Sequence, residues 1–217
     1  MRNTPFLKNN HELLLPNKLK FKKIMAKLHF FYSTMNAGKS TSLLQSNHNY
    51  LETDLETMIF LPKEIEATSN GKIISRIGLE AEAIIFDGEF NFLSYVNTNK
   101  TPKLSCILID ESQFLTKAQV QQLGEIADIM NFPVMCYGIR TDFRGELFEG
   151  SSALLGSADN LIELKTICST CARKATMVVR LDSEGNVVTE GSKIKIGGND
   201  IYKVVCRKHF RKLTQLI

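Results

Sequence analysis

The sequence predicts an α/β protein, in which a parallel sheet carries helices on both faces and a small Cys-containing domain follows. Between residues 28 and 165, apolar segments of strand length alternate with segments of helical spacing. Beyond residue 166 the chain becomes rich in Gly and Cys and has only short strand-like stretches. We therefore expect an extension at 1–24, an α/β domain at 25–166 and a second domain at 167–217.

Each element is predicted from its own residues. Short apolar runs bounded by turn residues indicate strands at 28–32, 57–61, 104–109, 133–137 and 160–165. Apolar residues that recur every three or four positions indicate helices at 38–51, 89–97 and 116–129. Strands and helices in alternation are typical of a parallel sheet that is covered on both faces.

Composition excludes several classes of protein. The chain has 217 residues, 43% hydrophobic and 23% charged, close to ordinary globular usage, which argues against disorder or a coiled coil. No apolar run approaches the roughly 18 residues of a membrane span. Five Cys residues, an odd number, suit a reducing compartment, and no apolar leader with a cleavage site is present. We expect a cytoplasmic protein.

The net charge of +4 is unevenly distributed. Residues 1–24 contain six Lys or Arg and one acidic residue, whereas the remaining residues contain 21 Lys or Arg and 22 Asp or Glu. The body is therefore not basic, which argues against duplex nucleic acid as a partner. We expect residues 1–24 to be a disordered basic extension, or a segment added by a start upstream of Met25. A tail that touches a membrane or nucleic acid is the alternative.

The segment after the first strand has the pattern of a phosphate-binding loop. It precedes a predicted helix and consists of Ser33, Thr34, Met35, Asn36, Ala37, Gly38, Lys39, Ser40 and Thr41. Backbone N–H groups would surround polyphosphate oxygens, Lys39 would lie between the β- and γ-phosphates, and the Ser40 hydroxyl would ligate Mg²⁺. Ser33 replaces the Gly that usually begins this motif. The alternative, a helix start with an exposed lysine, does not explain the preceding strand or the acidic pair described next.

Two acidic residues, Asp110 and Glu111, directly follow the strand predicted at 104–109. The strand ends of an open parallel sheet meet at the ligand crevice, so we expect both residues near the phosphate loop. Asp110 would then reach Mg²⁺ or its waters, and Glu111 would face the phosphoryl acceptor. With an alcohol as acceptor, Glu111 would take its proton; with water, the same residue would make an ATPase. A mere capping role at the helix 116–129 is disfavoured, because burying carboxylates without a cation is costly.

Four residues of the second domain have the spacing of a metal site. Cys168, Cys171, Cys206 and His209 form C-x-x-C and C-x-x-H pairs around residues 172–205. This set suits tetrahedral Zn²⁺, and because the protein fills all four positions the metal would be structural. The clamp would hold 172–205 as a loop over an acceptor. Within that loop, backbone groups at Ile196, Gly197 and Gly198 and the ring of Tyr202 suit a flat heterocycle.

These motifs together resemble one known family. The phosphate loop, the segment Asp110-Glu111-Ser112-Gln113-Phe114, the segment 137–145, the Cys/His set and Ile196-Gly197-Gly198 occur in the order found in bacterial thymidine kinases of the zinc-containing type II class. The resemblance runs from about Met25 to Phe210. It implies the P-loop version of the α/β fold, with a lasso-like loop in the C-terminal zinc-binding domain.

The resemblance also implies a function and further site residues. ATP and Mg²⁺ would be used to phosphorylate the 5′-hydroxyl of thymidine in nucleotide salvage, with deoxyuridine as an alternative acceptor and Glu111 as proton acceptor. Gln113 would join Asp110 and the phosphate loop at ATP. Phe114 and Phe143 would line the base pocket, Tyr202 would support the nucleoside, and core packing is the alternative for each. The family further implies a homotetramer inhibited by the end-product triphosphate. From the charge distribution and the lengths of the apolar runs, we expect neither nucleic acid nor membrane as a partner.

Two other functions are compatible with part of the pattern. A nucleic-acid-stimulated ATPase could use the zinc module to hold a strand, but it usually needs two such cores and a basic track, which this chain lacks. A non-catalytic zinc-ribbon interaction protein would leave the phosphate loop and the acidic pair unexplained. We therefore expect an ATP-dependent nucleoside kinase.

Overall fold

The computed structural model of the chain describes residues 25–193 and 201–215, with Ala67 and Thr68 described only in the backbone. The extension expected at 1–24 therefore lies outside the described residues. The strands are β1 Leu28–Ser33, β2 Glu56–Pro62, β3 Lys72–Ile74, β4 Glu80–Glu82, β5 Ile84–Phe86, β6 Leu104–Ile109, β7 Val134–Ile139, β8 Asn160–Glu163, β9 Thr166–Ile167, β10 Lys174–Ala175, β11 Met177–Leu181, β12 Val187–Val188 and β13 Tyr202–Val205. The helices are α1 Lys39–Leu51, α2 Lys63–Ser69, α3 Phe92–Asn99, α4 Lys117–Glu125, α5 Glu149–Ser157 and α6 Arg207–Thr214.

Six parallel strands form the central sheet, in the order β5-β2-β6-β7-β1-β8. The register aligns Phe30 of β1 with Cys136 of β7, and Cys136 with Ile109 of β6. Most residues of the central strands are buried, because helices cover both faces and leave little polar surface to alternate with the apolar residues. The order puts the carboxyl ends of β1 and β6 on either side of β7, at one edge of the sheet.

The core lies in two layers, one on each face of the sheet. On one face α1 contributes Leu43 and Leu44, which pack near Tyr137. On the other face α3, α4 and α5 contribute a larger cluster that includes Phe92 and Leu154. Each fully buried large apolar side chain contributes roughly 1.5–3 kcal/mol to folding. The predicted fold class, a parallel sheet with helices on both faces, is therefore confirmed.

The C-terminal part is built from small antiparallel sheets. β9 pairs with β10, and β11 lies between β12 and β13. Helix α6 packs on β11 and buries Phe210, which is fully enclosed. The segment 172–205, which the convergent Cys and His residues hold at both ends, is not irregular throughout, because β10 to β13 lie within its described part. The division of the chain at 166/167 stays a prediction.

Several elements differ from the sequence-based expectations. The sequence analysis predicted neither α2, the β3–β4 hairpin and β5, which lie between residues 63 and 86, nor α5. The helix expected at 116–129 begins at Lys117 and changes at Ile126–Met130 to a π-helical turn. The strand expected at 160–165 ends at Glu163. In the part of the chain that the structure describes, no helix has the length and apolar character needed to cross a bilayer.

Candidate active site

The phosphate loop connects β1 to α1 and is held by its own lysine. Asn36 and Gly38 adopt left-handed backbone conformations, with φ of 62° and 76°, which bend the chain into the helix. The Lys39 ammonium is buried and donates hydrogen bonds to the Thr34 carbonyl at 2.8 Å and to Ser33 Oγ at 3.2 Å. Ser33 therefore contributes a hydroxyl that holds Lys39, a contact that the usual glycine could not make.

Asp110 joins the end of β6 to the start of α1. Its Oδ2 accepts a hydrogen bond from Ser40 Oγ at 2.8 Å, and its Oδ1 accepts one from the Glu111 N–H at 3.0 Å. Burial and the neighbouring Glu111 carboxylate raise the pKa of Asp110 from 3.8 to about 7, although Ser40, the Glu111 N–H and Lys39 oppose the shift. Burial lowers the pKa of Lys39, against the attraction of Glu111 and Asp110. A buried carboxylate that is costly to ionise favours a bound cation.

Asp110→Asn is expected to stabilise the protein free of Mg²⁺ and nucleotide while removing Mg²⁺-dependent activity. The amide keeps the bond to Ser40 but carries no buried charge. Because the folded-state pKa lies above the unfolded value of 3.8, wild-type stability is lost as pH rises through about 7. The variant's advantage should therefore be on the order of 2–4 kcal/mol at pH 8 and shrink toward pH 5. Urea denaturation at both pH values measures it.

The control for this prediction is Asp54→Asn, which removes an exposed carboxylate paired with Lys103 at 2.7 Å. An exposed ion pair contributes about 0–1 kcal/mol, so this variant should show no gain in stability at pH 8. An Asp110→Asn variant that is less stable than the wild type at pH 8 would contradict the buried-charge argument.

Glu111 follows Asp110 in an uncommon backbone conformation. Its φ of 48° and ψ of 41° are left-handed for a residue with a side chain. Its Oε2 accepts a hydrogen bond from Gln113 Nε2 at 2.5 Å, and Gln113 Oε1 in turn accepts one from the Ile139 N–H at 3.1 Å. Gln113 thereby fixes the Glu111 carboxylate to the end of β7. A contact of Gln113 with ATP, implied by the family resemblance, stays a prediction.

A short 3₁₀ turn, Ser112–Phe114, packs directly on β7 where that strand has a glycine. A Cβ on Gly138 would lie 2.6 Å from Ser112 Oγ and 3.2 Å from the Gln113 backbone nitrogen. Ser112 Oγ is buried and has no hydrogen-bond partner in the described part of the chain. The close approach of turn and strand therefore depends on the absence of a side chain at 138.

This packing predicts opposite effects for two alanine substitutions. Ser112→Ala removes an unpartnered buried hydroxyl and should be neutral or stabilising by about 1 kcal/mol. Gly138→Ala should destabilise by roughly 1–3 kcal/mol through overpacking. The double variant should recover part of that loss, because the closest clashing atom is gone. Urea midpoints of the three variants test this, and a Ser112→Ala variant that loses stability would refute it.

One cavity of about 650 Å³ brings most of the predicted site residues together. Its lining includes these predicted residues: Met35, Asn36, Ala37, Gly38, Lys39, Ser40, Glu111, Gln113, Phe114, Phe143 and Tyr202. Ser33, Thr34 and Asp110 lie behind the lining and contact it through Lys39 and Ser40. Ile196, Gly197 and Gly198 lie outside the described residues.

The cavity also has lining residues that the sequence analysis did not single out: Arg76, Asp142, Phe148, Val178 and Lys193. Asp142 is buried, and its carboxylate accepts hydrogen bonds from the Arg144 and Glu146 N–H groups at 2.9 Å each. These bonds shape the turn that presents Phe143. In the sequence, the turn residues Asp142 and Gly145 on either side of Phe143 could have indicated a shaped loop at the site. Val178 carries no such sign, because it resembles any apolar strand residue.

The four predicted metal ligands converge. Their ligand atoms all lie within 4.8 Å of one another, with the Cys168 and Cys206 sulfurs each 3.4 Å from His209 Nδ1 and the Cys171 and Cys206 sulfurs 3.9 Å apart. Tetrahedral Zn²⁺ with ordinary bond lengths requires about 3.5 Å between S and N and about 3.8 Å between two sulfurs.

The electrostatics of Cys168 also suit metal binding. Burial raises the pKa of its thiol, but hydrogen bonds from the Cys206 and Thr170 backbone and from His209 outweigh burial and lower the pKa to about 6. The thiolate, which is the metal-binding form, is therefore favoured at neutral pH. Cys106 and Cys136 lie outside this set and are buried in the core of the central sheet.

The first strand of the parallel sheet leads into a phosphate loop, and β6 ends in a carboxylate bonded to Ser40 of that loop. This arrangement is typical of P-loop proteins that bind nucleoside triphosphates. A family model described as thymidine kinase matches residues 26–210. The thymidine kinases of Shewanella oneidensis and Coxiella burnetii are each 53% identical over 189 residues, covering 87% and 86% of this chain and 98% and 96% of theirs. That of Haemophilus influenzae is 52% identical over 189 residues, with 87% and 97% covered. The chain belongs to the thymidine kinase family and is therefore a kinase, an enzyme of the transferase class.

Proposed function

We propose that the protein transfers the γ-phosphate of ATP to the 5′-hydroxyl of thymidine, in nucleotide salvage. One observation carries the proposal beyond family membership: Lys39, Ser40 and Glu111 line the same cavity as the aromatic residues Phe114 and Phe143. A polyphosphate and a flat base can thus occupy one continuous space with a carboxylate beside it. Deoxyuridine is the alternative acceptor.

At the phosphate end, residues 33–40 bind ATP through backbone N–H groups and the Lys39 ammonium. Ser40 and Asp110, already 2.8 Å apart, would hold Mg²⁺, for which a hydroxyl and a carboxylate are suitable oxygen ligands. When bound, the ion would neutralise charge on the phosphates. Glu111 orients the 5′-hydroxyl and accepts its proton as the phosphoryl group moves, and Gln113 keeps that carboxylate in place.

At the base end, Phe114, Phe143 and Tyr202 enclose the thymine ring, and backbone groups at Ile196, Gly197 and Gly198 recognise its edge. Apolar and aromatic walls with few polar contacts are the usual construction of a small-molecule site. The Cys168, Cys171, Cys206 and His209 set holds structural Zn²⁺, because no position remains for a reactive water. We further propose a cytoplasmic homotetramer inhibited by the end-product triphosphate, as in the family that the chain resembles.

The proposal is tested by incubating the zinc-loaded protein with Mg²⁺, labelled ATP and a panel of nucleosides, with and without single-stranded DNA. Thymidine monophosphate should form, and DNA should change neither its rate nor phosphate release. Phosphate release that DNA stimulates, with no nucleoside monophosphate, would favour the ATPase and reject the kinase. Thymidine and deoxyuridine compared at equal concentration decide the preferred acceptor.

A further inference from the structure

A buried arginine lies in the middle of the C-terminal sheet. Arg180 belongs to β11, whose five residues are all buried, and the side chains before and after it are apolar. Its exposed fraction is 6%. Within the described ranges 25–193 and 201–215, no carboxylate forms an ion pair with it. Burying a guanidinium costs free energy, so an apolar residue would be expected if the position only filled space.

The Arg180 guanidinium is instead held by an aromatic face and two carbonyls. Its central carbon lies 3.7 Å from the centroid of the Phe143 ring, a close cation–π contact. Its Nη1 donates to the Ser192 carbonyl at 2.6 Å, and its Nη2 donates to the Glu190 carbonyl at 2.7 Å. The planar guanidinium makes all three contacts at once, which a lysine ammonium cannot do.

The chain segment bound by Arg180 has its own adaptation to this contact. Gly191 lies between the two accepting carbonyls and has φ of 107°, a conformation that strains any residue with a side chain. A Cβ at this position would lie 2.9 Å from Arg180 Nη2. Gly191 therefore lets the chain turn closely around the guanidinium.

These contacts connect Arg180 to the wall of the cavity without placing it in the lining. Phe143 lines the cavity, and so does Lys193, which directly follows Ser192. The Lys193 ammonium donates a hydrogen bond to the Leu147 carbonyl at 2.7 Å. Tyr202, a third lining residue, is aligned with Arg180 on the neighbouring strand β13. Arg180 thus touches or adjoins three parts of the cavity wall: Phe143, the segment 190–193 and Tyr202.

We propose that Arg180 is a positioning residue for the nucleoside: its guanidinium fixes the Phe143 ring and the chain at 190–193, and so sets affinity for the acceptor but not for ATP. The inference rests on the proposed function, because it assigns the aromatic side of the cavity to the base. It adds a residue that acts through the wall of the site and makes no contact with substrate.

The test compares Arg180→Met, Arg180→Lys and the wild type, all zinc-loaded, in steady-state assays that vary thymidine and ATP separately. Methionine fills similar space without the charge, so Arg180→Met should raise the KM for thymidine about 10-fold or more, with the KM for ATP within about twofold. Arg180→Lys should give a smaller increase. Zinc content should be unchanged, and the melting temperature of Arg180→Met should change little, because the Glu190 and Ser192 carbonyls, which lose their donor, belong to exposed residues and can bind water instead.

A second variant disturbs the contact between Arg180 and the segment 190–193 by changing Gly191 instead of the arginine. Gly191→Ala should displace the guanidinium and raise the KM for thymidine, and combining it with Arg180→Met should add little, because both remove one interaction. Gly185→Ala is the matched control: Gly185 also has positive φ, 85°, in the same domain, but has nothing within 4 Å of its Cβ position. It should strain the backbone without changing the KM for thymidine.

Several outcomes would overturn the proposal: an unchanged KM for thymidine in Arg180→Met, an equal rise in both KM values, or the same rise in Gly185→Ala as in Gly191→Ala. Should Arg180→Met fail to fold, the Gly191→Ala and Gly185→Ala pair decides. A wild-type protein that makes no thymidine monophosphate would reject the proposed function itself. The failure of the Arg180 proposal can thus be distinguished from the failure of the proposed function.

Discussion

Glu111→Gln is expected to retain ATP binding and to lose turnover by about 10²- to 10⁴-fold, the usual contribution of a positioned general base. The amide has nearly the shape of the carboxylate and can still contact Gln113, but it cannot accept the proton of the acceptor hydroxyl. ATP binding depends on the phosphate loop, which Glu111 does not contact through a hydrogen bond. Single-turnover phosphoryl transfer and nucleotide titration on the same preparation measure the two quantities.

The control for Glu111 is Glu89→Gln, which makes the same chemical change at an exposed position away from the cavity. It should have wild-type turnover. Gln113→Leu should also lower the rate, though less than Glu111→Gln, because it releases the carboxylate without removing it. Near-normal turnover in Glu111→Gln would remove this residue from the role of base.

Cys168→Ser is expected to lose metal and nucleoside affinity together. Three ligands remain, and structural zinc sites of this type contribute directly to folding, so the C-terminal sheet should be strongly destabilised. The affinity for thymidine falls because Tyr202, Val178 and Lys193 reach the cavity from that part of the chain. ATP binding at the phosphate loop should change much less. Metal analysis, thermal denaturation and separate titrations with thymidine and ATP test the linkage.

Cys136→Ala is the matched control for Cys168→Ser, since it removes a buried thiol from the central sheet, far in sequence from the metal ligands. It should keep the metal and the thymidine affinity at some cost in stability. A metal-free Cys168→Ser protein that binds thymidine as tightly as the wild type would separate the metal from the nucleoside site.

Features that depend on neighbouring residues were predictable from the sequence. The phosphate loop was recognisable because its glycine, lysine and hydroxyl follow a strand within a few residues. The strands β1, β2, β6 and β7 are apolar runs, and burial on both faces of a parallel sheet leaves a clear hydrophobic signal. The metal ligands were recognisable because each pair is separated by two residues, so the spacing alone indicates a shared ion.

Elements with weak local signals were missed. Helix α5 has the sequence Glu-Gly-Ser-Ser-Ala-Leu-Leu-Gly-Ser, in which small residues and two glycines hide the helical period. Strand β5 has three residues, too few for a pattern. Helix α2 begins directly after Pro62 and ends at Ser69, before the left-handed Asn70, but its residues carry little apolar periodicity. Tertiary packing, which a single sequence does not reveal, decides these segments.

Contacts between distant residues could not be predicted either. The bond from the Ile139 N–H to Gln113, and from Gln113 to Glu111, depends on how a turn packs against β7. The contact of Arg180 with Phe143 joins two parts of the chain that the sequence analysis assigned to separate domains. An arginine inside the apolar strand β11 was the available sign of an unusual environment, although not of its partner.

Cys206 lies just before α6 and His209 lies within it, whereas Cys168 and Cys171 lie almost forty residues earlier in the chain. A chain cut before residue 206 would keep every strand of the central sheet and the whole phosphate loop, yet it would lack two of the four residues of the Cys/His set. Truncation before residue 206 should therefore abolish thymidine phosphorylation, whereas substitutions at the exposed Leu213 and Gln215 should be tolerated.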